Sequence, residues 1–479
     1  MKKLLYILLL LTCLTGCEYR LTDDPAARLT FSADTLSLDT VFNQAATRMM
    51  QLKVYNRQKE ALCINSIRLE SGDYFMVNAD GETDLSQVRD ILLAGGDSLY
   101  IFIKANIAHQ TDNTPVLIED KLIFVCNNRT QQVVLRAYGQ NVTVLRHRFY
   151  SEPVQLNAAM PYHVFDTLLF AGDLTIEPGA VFYMHERSVI FCLGNVTIKG
   201  TPDRPVLFRG DRLDNLFSSV PYDYVSGNWT GIYLLQQEGE AARSYRLENV
   251  NIHSAAVGLY CQALPEADRS TLCLLNSVIY NMSAYGVAVL NMDALIANCE
   301  ISNCATYCVY LSGGTHTLLH NTIASYFNNK VAPAMHNVGH ADVAAVFINN
   351  VSKQMAHTET YMHNNIIAGV RRNNLVLATP LPLRYNGSFT HNYLQNDTLN
   401  YPQFRDNTYG TAADTVFVST LFTSADSTYY NFRLDSVSPA RGIADTAVTR
   451  LYPLDRLGND RFADTAPDAG CYEWTPRPE

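Results

Sequence analysis

Between Leu29 and Val142 apolar and polar residues alternate in short runs: LTFS, QLKVYN, ALCINSIRL, DSLYIFIKANI, DKLIFV and QQVVLRAYGQ. Runs at period two, separated by the turn-prone stretches SGD, NADG, GGD and CNN, predict the strands of a small antiparallel sandwich. Beyond about residue 165 the rhythm changes. LTIEPGAVFYMHERSVIFCLGNVTIKGTPDRPVLFRGD, residues 174–211, holds three short strands broken by turn residues at 178–179, 194–195 and 200–201. Then one template recurs: LENVNI (247–252), LLNSVI (274–279), IANCEI (296–301), LLHNTI (318–323), YMHNNI (361–366) and FTHNYL (389–394). The starts at 274, 296 and 318 lie 22 apart; the gap of 43 to residue 361 reads as two periods, and the gaps of 27 and 28 as one period with an insertion. A period in the low twenties with one strand per face predicts a stacked solenoid, and the fixed leucine and asparagine spacing of leucine-rich repeats is missing.

Laying the repeats over one another predicts columns. Ile252, Ile279, Ile301, Ile323, Ile366 and Leu394 form an inward aliphatic column, and Asn249, Asn276, Asn298, His320, His363 and His391 a corner column. Asparagine suits a corner because it tolerates left-handed backbone and its amide reaches the neighbouring rung; histidine can replace it as donor and acceptor. The stretch NCEISNCATYC carries Cys299, Cys304 and Cys308, which fall over Ser277, Met282 and Gly286 of the preceding repeat. Zinc needs about four ligands converging on one point, usually supplied as close cysteine pairs. Here the neighbouring rungs offer no such ligands, so the cysteines read as apolar filler and no metal site is expected.

The chain begins MKKLLYILLLLTCLTGCEYR. Its apolar run, Leu4 to Leu14, is too short to span a bilayer permanently, and Leu14-Thr15-Gly16-Cys17 resembles a bacterial lipobox. That resemblance implies removal of residues 1–16, acylation of Cys17 and an acidic tether over 17–27. Several acyl chains make attachment effectively permanent at about 0.8 kcal/mol per buried CH₂. Residues 28–145 resemble an Ig-like β-sandwich. Residues 160–475 resemble a right-handed parallel β-helix of the pectate-lyase-like kind, and YNFRLDSVSPARGIADT, LDRLGNDRF and PDAGCYEW near the end resemble its closing segment, with Tyr472 and Trp474 as lids over the last rung. The whole resembles the surface lipoproteins of Bacteroidetes. It implies an outer-membrane protein, lipid-anchored and facing the cell surface, that binds a polysaccharide or a surface protein or serves as a scaffold. The alternative it implies is a polysaccharide lyase or glycoside hydrolase.

The formal charge of −10 and the lack of any Lys/Arg run outside the leader remove the electrostatic footprint of nucleic-acid binding. Beyond Cys13 and Cys17 the cysteines are odd in number and show no disulfide framework. Glycoside hydrolysis needs two carboxylates at a defined separation, and the pectinase-type motif set is absent. A lyase needs a base and a cation that neutralises the sugar carboxylate, commonly with calcium; Lys199, Lys330 and Lys353 are the only lysines after residue 198. The best candidates for chemistry lie in RGDRLDNLFSSVPYDYVSGNWTGIYL, residues 209–234. There Asp211, Asp214 and Asp223 are candidate carboxylates, and Arg209, Arg212 and Trp229 a candidate sugar-binding lip. The competing reading is a plug in which Arg–Asp pairs pin the loop. Arg371, Arg372 and Arg384 read as solvated surface. No cofactor other than calcium in a lyase is implied.

Asp-[Ser/Thr]-x recurs at Thr35, Thr40, Ser98, Thr167, Thr398, Thr415, Ser427, Ser436, Thr446 and Thr465. It resembles the O-glycosylation signal of exported Bacteroidetes proteins. It equally suits a turn that leads into a strand, with aspartate ending the turn and threonine starting the strand.

Overall fold

The structure, a computed structural model, describes residues 20–22, 24–43, 49–107, 114–217, 220–265, 268–326, 343–350, 358–378, 386–421, 430–464 and 466–476. Cys17, Ser427, Thr465, Arg384, Lys330 and Lys353 lie outside the described residues. The chain divides into two compact units, 1–142 and 143–479. The strand Thr143–Tyr150 opens the second unit, earlier than the expected start at 160, because it pairs in parallel with Tyr162–Phe170. Among the described residues no helix is long and apolar enough to cross a membrane.

The first unit is two sheets around one core. One has four strands in the order Thr30–Phe31, Met50–Tyr55, Ser98–Ala105, Phe75–Ala79; the other has five, in the order Thr35–Phe42, Arg129–Gln140, Val116–Cys126, Leu62–Leu69, Arg89–Leu93. Alternation does the work the sequence predicts. Leu52 and Val54 turn inward from one strand, Ile101 and Ile103 from its partner, and Leu122, Phe124, Val133 and Leu135 face them from the second sheet. The arrangement is not wholly antiparallel as expected, since Thr35–Phe42 pairs in parallel with Arg129–Gln140. A bulge at Asp39, in left-handed backbone with φ 52°, shifts that register.

The second unit is a parallel β-helix. One coil supplies Asp293–Ala297, Glu300–Cys304 and Tyr307–Ser312, and each strand pairs in parallel with its counterpart in the coils before and after. The inward column runs Phe208, Ile252, Ile279, Ile301, Ile323, Ile367, Leu394, every member in register with the next and buried. Toward the N-terminal coils it becomes aromatic, Tyr162 stacking on Phe182 at 4.9 Å and Phe182 on Phe208 at 4.5 Å. Cys304 lies beside Met282 in register, and Cys299, Cys304 and Cys308 are buried. Among the described residues every cysteine is a free thiol.

Two expectations about register fail in the same coil. Leu318 pairs with Met362 and Ile323 with Ile367, so the repeat in that coil is MHNNII rather than YMHNNI. Ile366 therefore leaves the inward column, and Asn364, with φ 60°, takes the corner in place of His363. The gap from 318 to 361 is also one coil with long insertions and not two periods, because Gly314–Leu319 pairs directly with Thr358–His363. The corner itself is as expected: Asn249, Asn276, Asn298, His320 and His391 all have φ between 49° and 58°. One position later an amide ladder runs through Asn321, Asn365 and Asn392, all buried, to the half-buried Asn407. Each side-chain oxygen accepts from the backbone N–H of the preceding rung at 2.8–3.0 Å, and each amide nitrogen donates back to a carbonyl.

The closing segment does not lid the last coil. It returns along the flank of earlier coils: Cys471 N–H donates to Thr322 Oγ1, Tyr472 Oη to Glu300, and Arg461 to Asn298 Oδ1 at 2.8 Å. A corner asparagine, Asn298, and the first residues of two strands, Glu300 and Thr322, offer these partners.

Candidate functional site

Strands that stack in register bring side chains of one outward column together every 4.8 Å or so. On one face that column runs His163, Tyr183, Arg209, with His163 paired to Tyr183 and Tyr183 to Arg209; His253 and Tyr280 continue it in later coils. Two residues further along the same strands, Phe165, His185 and Asp211 form the adjacent outward column, their ladder extended by His185 N–H to Val164 O and Asp211 N–H to Met184 O.

The two columns meet at Asp211. Its Oδ2 lies 2.6 Å from His185 Nδ1 and 3.0 Å from His163 Nε2. Burial alone would push the Asp211 carboxyl up, but the hydrogen bonds to both imidazoles outweigh it and hold the group below its ordinary range. Phe165 fills the space between the imidazoles, with ring centroids 4.3 Å from His163 and 4.6 Å from His185, and Arg146 lies 4.0 Å over its face. His163 and His185 were missed in the sequence because nothing in their spacing marks them; only the stacking of three successive coils joins them to Asp211.

The loop after Asp211 folds back over the column. Arg209 pairs with Asp223 at 2.5 Å, and Arg212 forks onto Asp214 at 2.9 and 2.6 Å while lying 3.7 Å over the Tyr222 ring. The Asp223 carbonyl accepts from Asn281 Nδ2 at 2.9 Å and from Ser254 Oγ. Burial raises the Asp223 carboxyl despite Arg209 beside it. The Arg–Asp pairs thus pin the loop, as the plug reading predicts, and Asp214 and Asp223 are each committed to an arginine. Trp229 is a correction. Its side chain is 1 % exposed and its Nε1–H donates to His253 O at 3.0 Å, so it belongs to the coil core and offers no platform to a sugar. The reason is local: Trp229 opens the strand Trp229–Leu235 on its inward face, and the register shift between Gly231 and Ile232 changes the alternation so that Tyr233, four residues on, faces outward. Arg372 is an exposed partner of Asp397.

A second outward column was not anticipated. On the strand set that begins at Val189–Cys192, register places Phe191 beside Tyr233, Tyr233 beside Tyr260, Tyr260 beside Ala288, Ala288 beside Tyr310 and Tyr310 beside Phe347. Centroids are 5.2 Å apart for Phe191–Tyr233, 5.4 Å for Tyr233–Tyr260 and 5.9 Å for Tyr310–Phe347. Where Ala288 leaves a gap, Tyr285 and Tyr307 flank it, 5.7 and 6.1 Å from Tyr310. All these rings are half-buried and face outward from the coils. The column crosses six coils, about 24 Å at the usual strand spacing. Its signal is present in the sequence as an apolar–aromatic–apolar triplet: IFC, IYL, LYC, VYL and VFI.

Of the Asp-[Ser/Thr] positions, Thr35, Thr398, Thr415, Ser436 and Thr446 are exposed, and Thr40, Ser98 and Thr167 are half-buried. Several aspartates use the motif structurally: Asp445 caps the helix Thr446–Thr449 by accepting from Ala447 N–H at 2.8 Å, and Asp435 accepts from Val437 N–H.

No family model and no curated protein matches the chain. Among solved structures, the Vibrio cholerae VesB protease is similar at 16 % identity and TM-score 0.18 over 23 % of this chain. A PapD-like domain of human CEP192 is similar at 10 % identity and TM-score 0.18, covering 27 % of this chain and 94 % of that one. The A-module of the Azotobacter vinelandii mannuronan C-5 epimerase AlgE6 is similar at 11 % identity and TM-score 0.27, covering 56 % of this chain and 90 % of that one. The chain spans under a third of the VesB protease, 31 %. Likenesses this slight transfer no activity.

Proposed function

We propose that this is a lipid-anchored cell-surface protein that binds an extended glycan along the aromatic column of its β-helix and does not cleave it. Along the chain, an Ig-like N-terminal unit then follows the acylated Cys17 and precedes the β-helix that carries the binding face. The single observation that carries the reading is the column of outward rings from Phe191 to Phe347. Such a surface costs free energy in water, and a contiguous apolar stripe edged by phenol hydroxyls is what a partner with flat apolar faces and hydroxyl rims would cover. Burial, helped by Tyr260, raises the Tyr233 phenol, so its hydroxyl stays a neutral donor at physiological pH. The carboxylates of the neighbouring loop favour binding over hydrolysis, because Asp214 and Asp223 are held in arginine pairs.

The test is a panel of acidic and neutral polysaccharides, read for binding by calorimetry and for new reducing or unsaturated ends. Binding by the wild type, weakened at least tenfold in Y233A/Y260A with unchanged circular dichroism, is the expected result. A second reading, a polysaccharide lyase or hydrolase, draws on the clustering of His163, Tyr183, His185, Arg209 and Asp211 from three coils. Release of oligosaccharide by the wild type, abolished in D211N, would establish it and overturn the first.

A further inference from the structure

We infer that His163, His185 and Asp211 form a binding site for a single divalent transition-metal ion of the zinc class. The inference is independent of the aromatic column and of whether a glycan binds there. Each residue offers one ligand atom, and these atoms all lie within 4.8 Å of one another. Zinc sits about 2.0–2.1 Å from imidazole nitrogen and about 2.0–2.2 Å from carboxylate oxygen. Ligand atoms around one ion are therefore about 3.0–3.4 Å apart for octahedral and tetrahedral angles. The His163 Nε2–Asp211 Oδ2 separation of 3.0 Å already falls in that range. The His185 Nδ1–Asp211 Oδ2 separation of 2.6 Å is a hydrogen bond that must open by well under 1 Å.

Exposure divides the labour among the three. His163 is fixed in the sheet at 3 % side-chain exposure, Asp211 is mostly enclosed at 16 %, and His185 is half in solvent at 49 %, the side from which an ion can enter. Phe165, wedged between the imidazoles, limits the ring orientations and keeps both nitrogens turned toward Asp211. Two neutral imidazoles and one carboxylate suit borderline ions rather than calcium or magnesium, which take oxygen ligands. Three protein ligands with one exposed side leave a coordination position for water or for an oxygen of a bound molecule. In the sequence Asp211 stands 26 positions from His185 and 48 from His163, so the site exists only once coils are stacked.

The test uses untagged protein stripped with EDTA, titrated with zinc chloride by calorimetry, and assayed for retained metal by mass spectrometry after desalting. Cobalt(II) in a parallel sample reports the coordination through its visible absorption. One equivalent of zinc per chain is expected, weakened more than tenfold in H185A and in D211N, with the remote D397N binding like wild type. Because His185 is half-exposed, H185A should fold, and a circular dichroism melt verifies it. No stoichiometric zinc, calcium bound in its place, or equal affinity in folded H185A and D211N would each overturn the assignment.

Discussion

His253 and His316 are imidazoles held almost entirely out of water by the coils around them. Burial, with Arg209 adding to it, depresses His253 to about 3, and burial depresses His316 to about 4. In the unfolded chain both bind a proton near pH 6.5. Between pH 6.5 and about 4 the unfolded state therefore holds more protons than the folded one. The stability these groups contribute is fully present above 6.5 and is lost as pH falls. Melts followed by circular dichroism should show Tm lower by roughly 5–10 °C at pH 5 than at pH 7, with a smaller drop in H316Q. Trp229 belongs to the same scale. Its burial predicts that W229A costs about 3–5 kcal/mol of stability, where a surface platform would leave the Tm unchanged. Neither fact was legible beforehand: a loop rich in arginine and aspartate suggested an exposed tryptophan, and only the strand it opens turns it inward.

At the scale of the coil, the strands are two to nine residues long and stable only because the rungs above and below complete their hydrogen bonds. Ile301 lies between Ile279 and Ile323 in register and is fully buried. Replacing it by valine should cost about 0.5–1.5 kcal/mol, and by aspartate more than about 4 kcal/mol, since an unpaired charge would enter the stack. Denaturant melts of the two variants check the ratio. The amide ladder gives a sharper expectation. N365A removes an acceptor for Asn321 N–H and a donor to Leu318 O, leaving two buried backbone groups of the preceding rung unpaired, and should lower the Tm more than N364A at the neighbouring corner. The six-residue template made the inward and corner columns readable. It slipped by one residue in YMHNNI because His363 followed by two asparagines fits the template equally well in either frame, and pairing of Met362 with Leu318 decides between them.

At the scale of the whole molecule, the closing segment meets the flank of the β-helix through Arg461, which donates to Asn298 Oδ1 at 2.8 Å and is itself paired within the segment to Glu473 at 3.2 Å. Burial dominates both partners, pushing the Arg461 guanidinium down and the Glu473 carboxyl up to about 8. A carboxyl raised in the folded state favours folding below its unfolded value and loses that contribution as pH climbs through about 8. With the buried histidines this sets a stability maximum near neutrality. The Tm of the wild type should fall between pH 7 and 9, and less so in E473Q. R461M removes the hydrogen bonds that Arg461 donates to Asn298 Oδ1 and Gly470 O, leaves those buried acceptors unpaired, and should cost about 1.5–3 kcal/mol at pH 7. The proposed anchor is tested at this scale too: C17S should move the protein from the membrane fraction to the soluble fraction.

Period and alternation by themselves determined that this chain is all-β, with a sandwich-like unit followed by stacked coils, because both depend on side-chain spacing along one strand and nothing else. They also determined that the cysteines are filler and that asparagine turns the corners. The tertiary structure alone decided which outward residues become neighbours. His163, His185 and Asp211 meet, as do the rings from Phe191 to Phe347, through hydrogen-bonded register between coils separated by loops of unequal length. Contact between coils depends on that register, and no count of residues along the chain contains it.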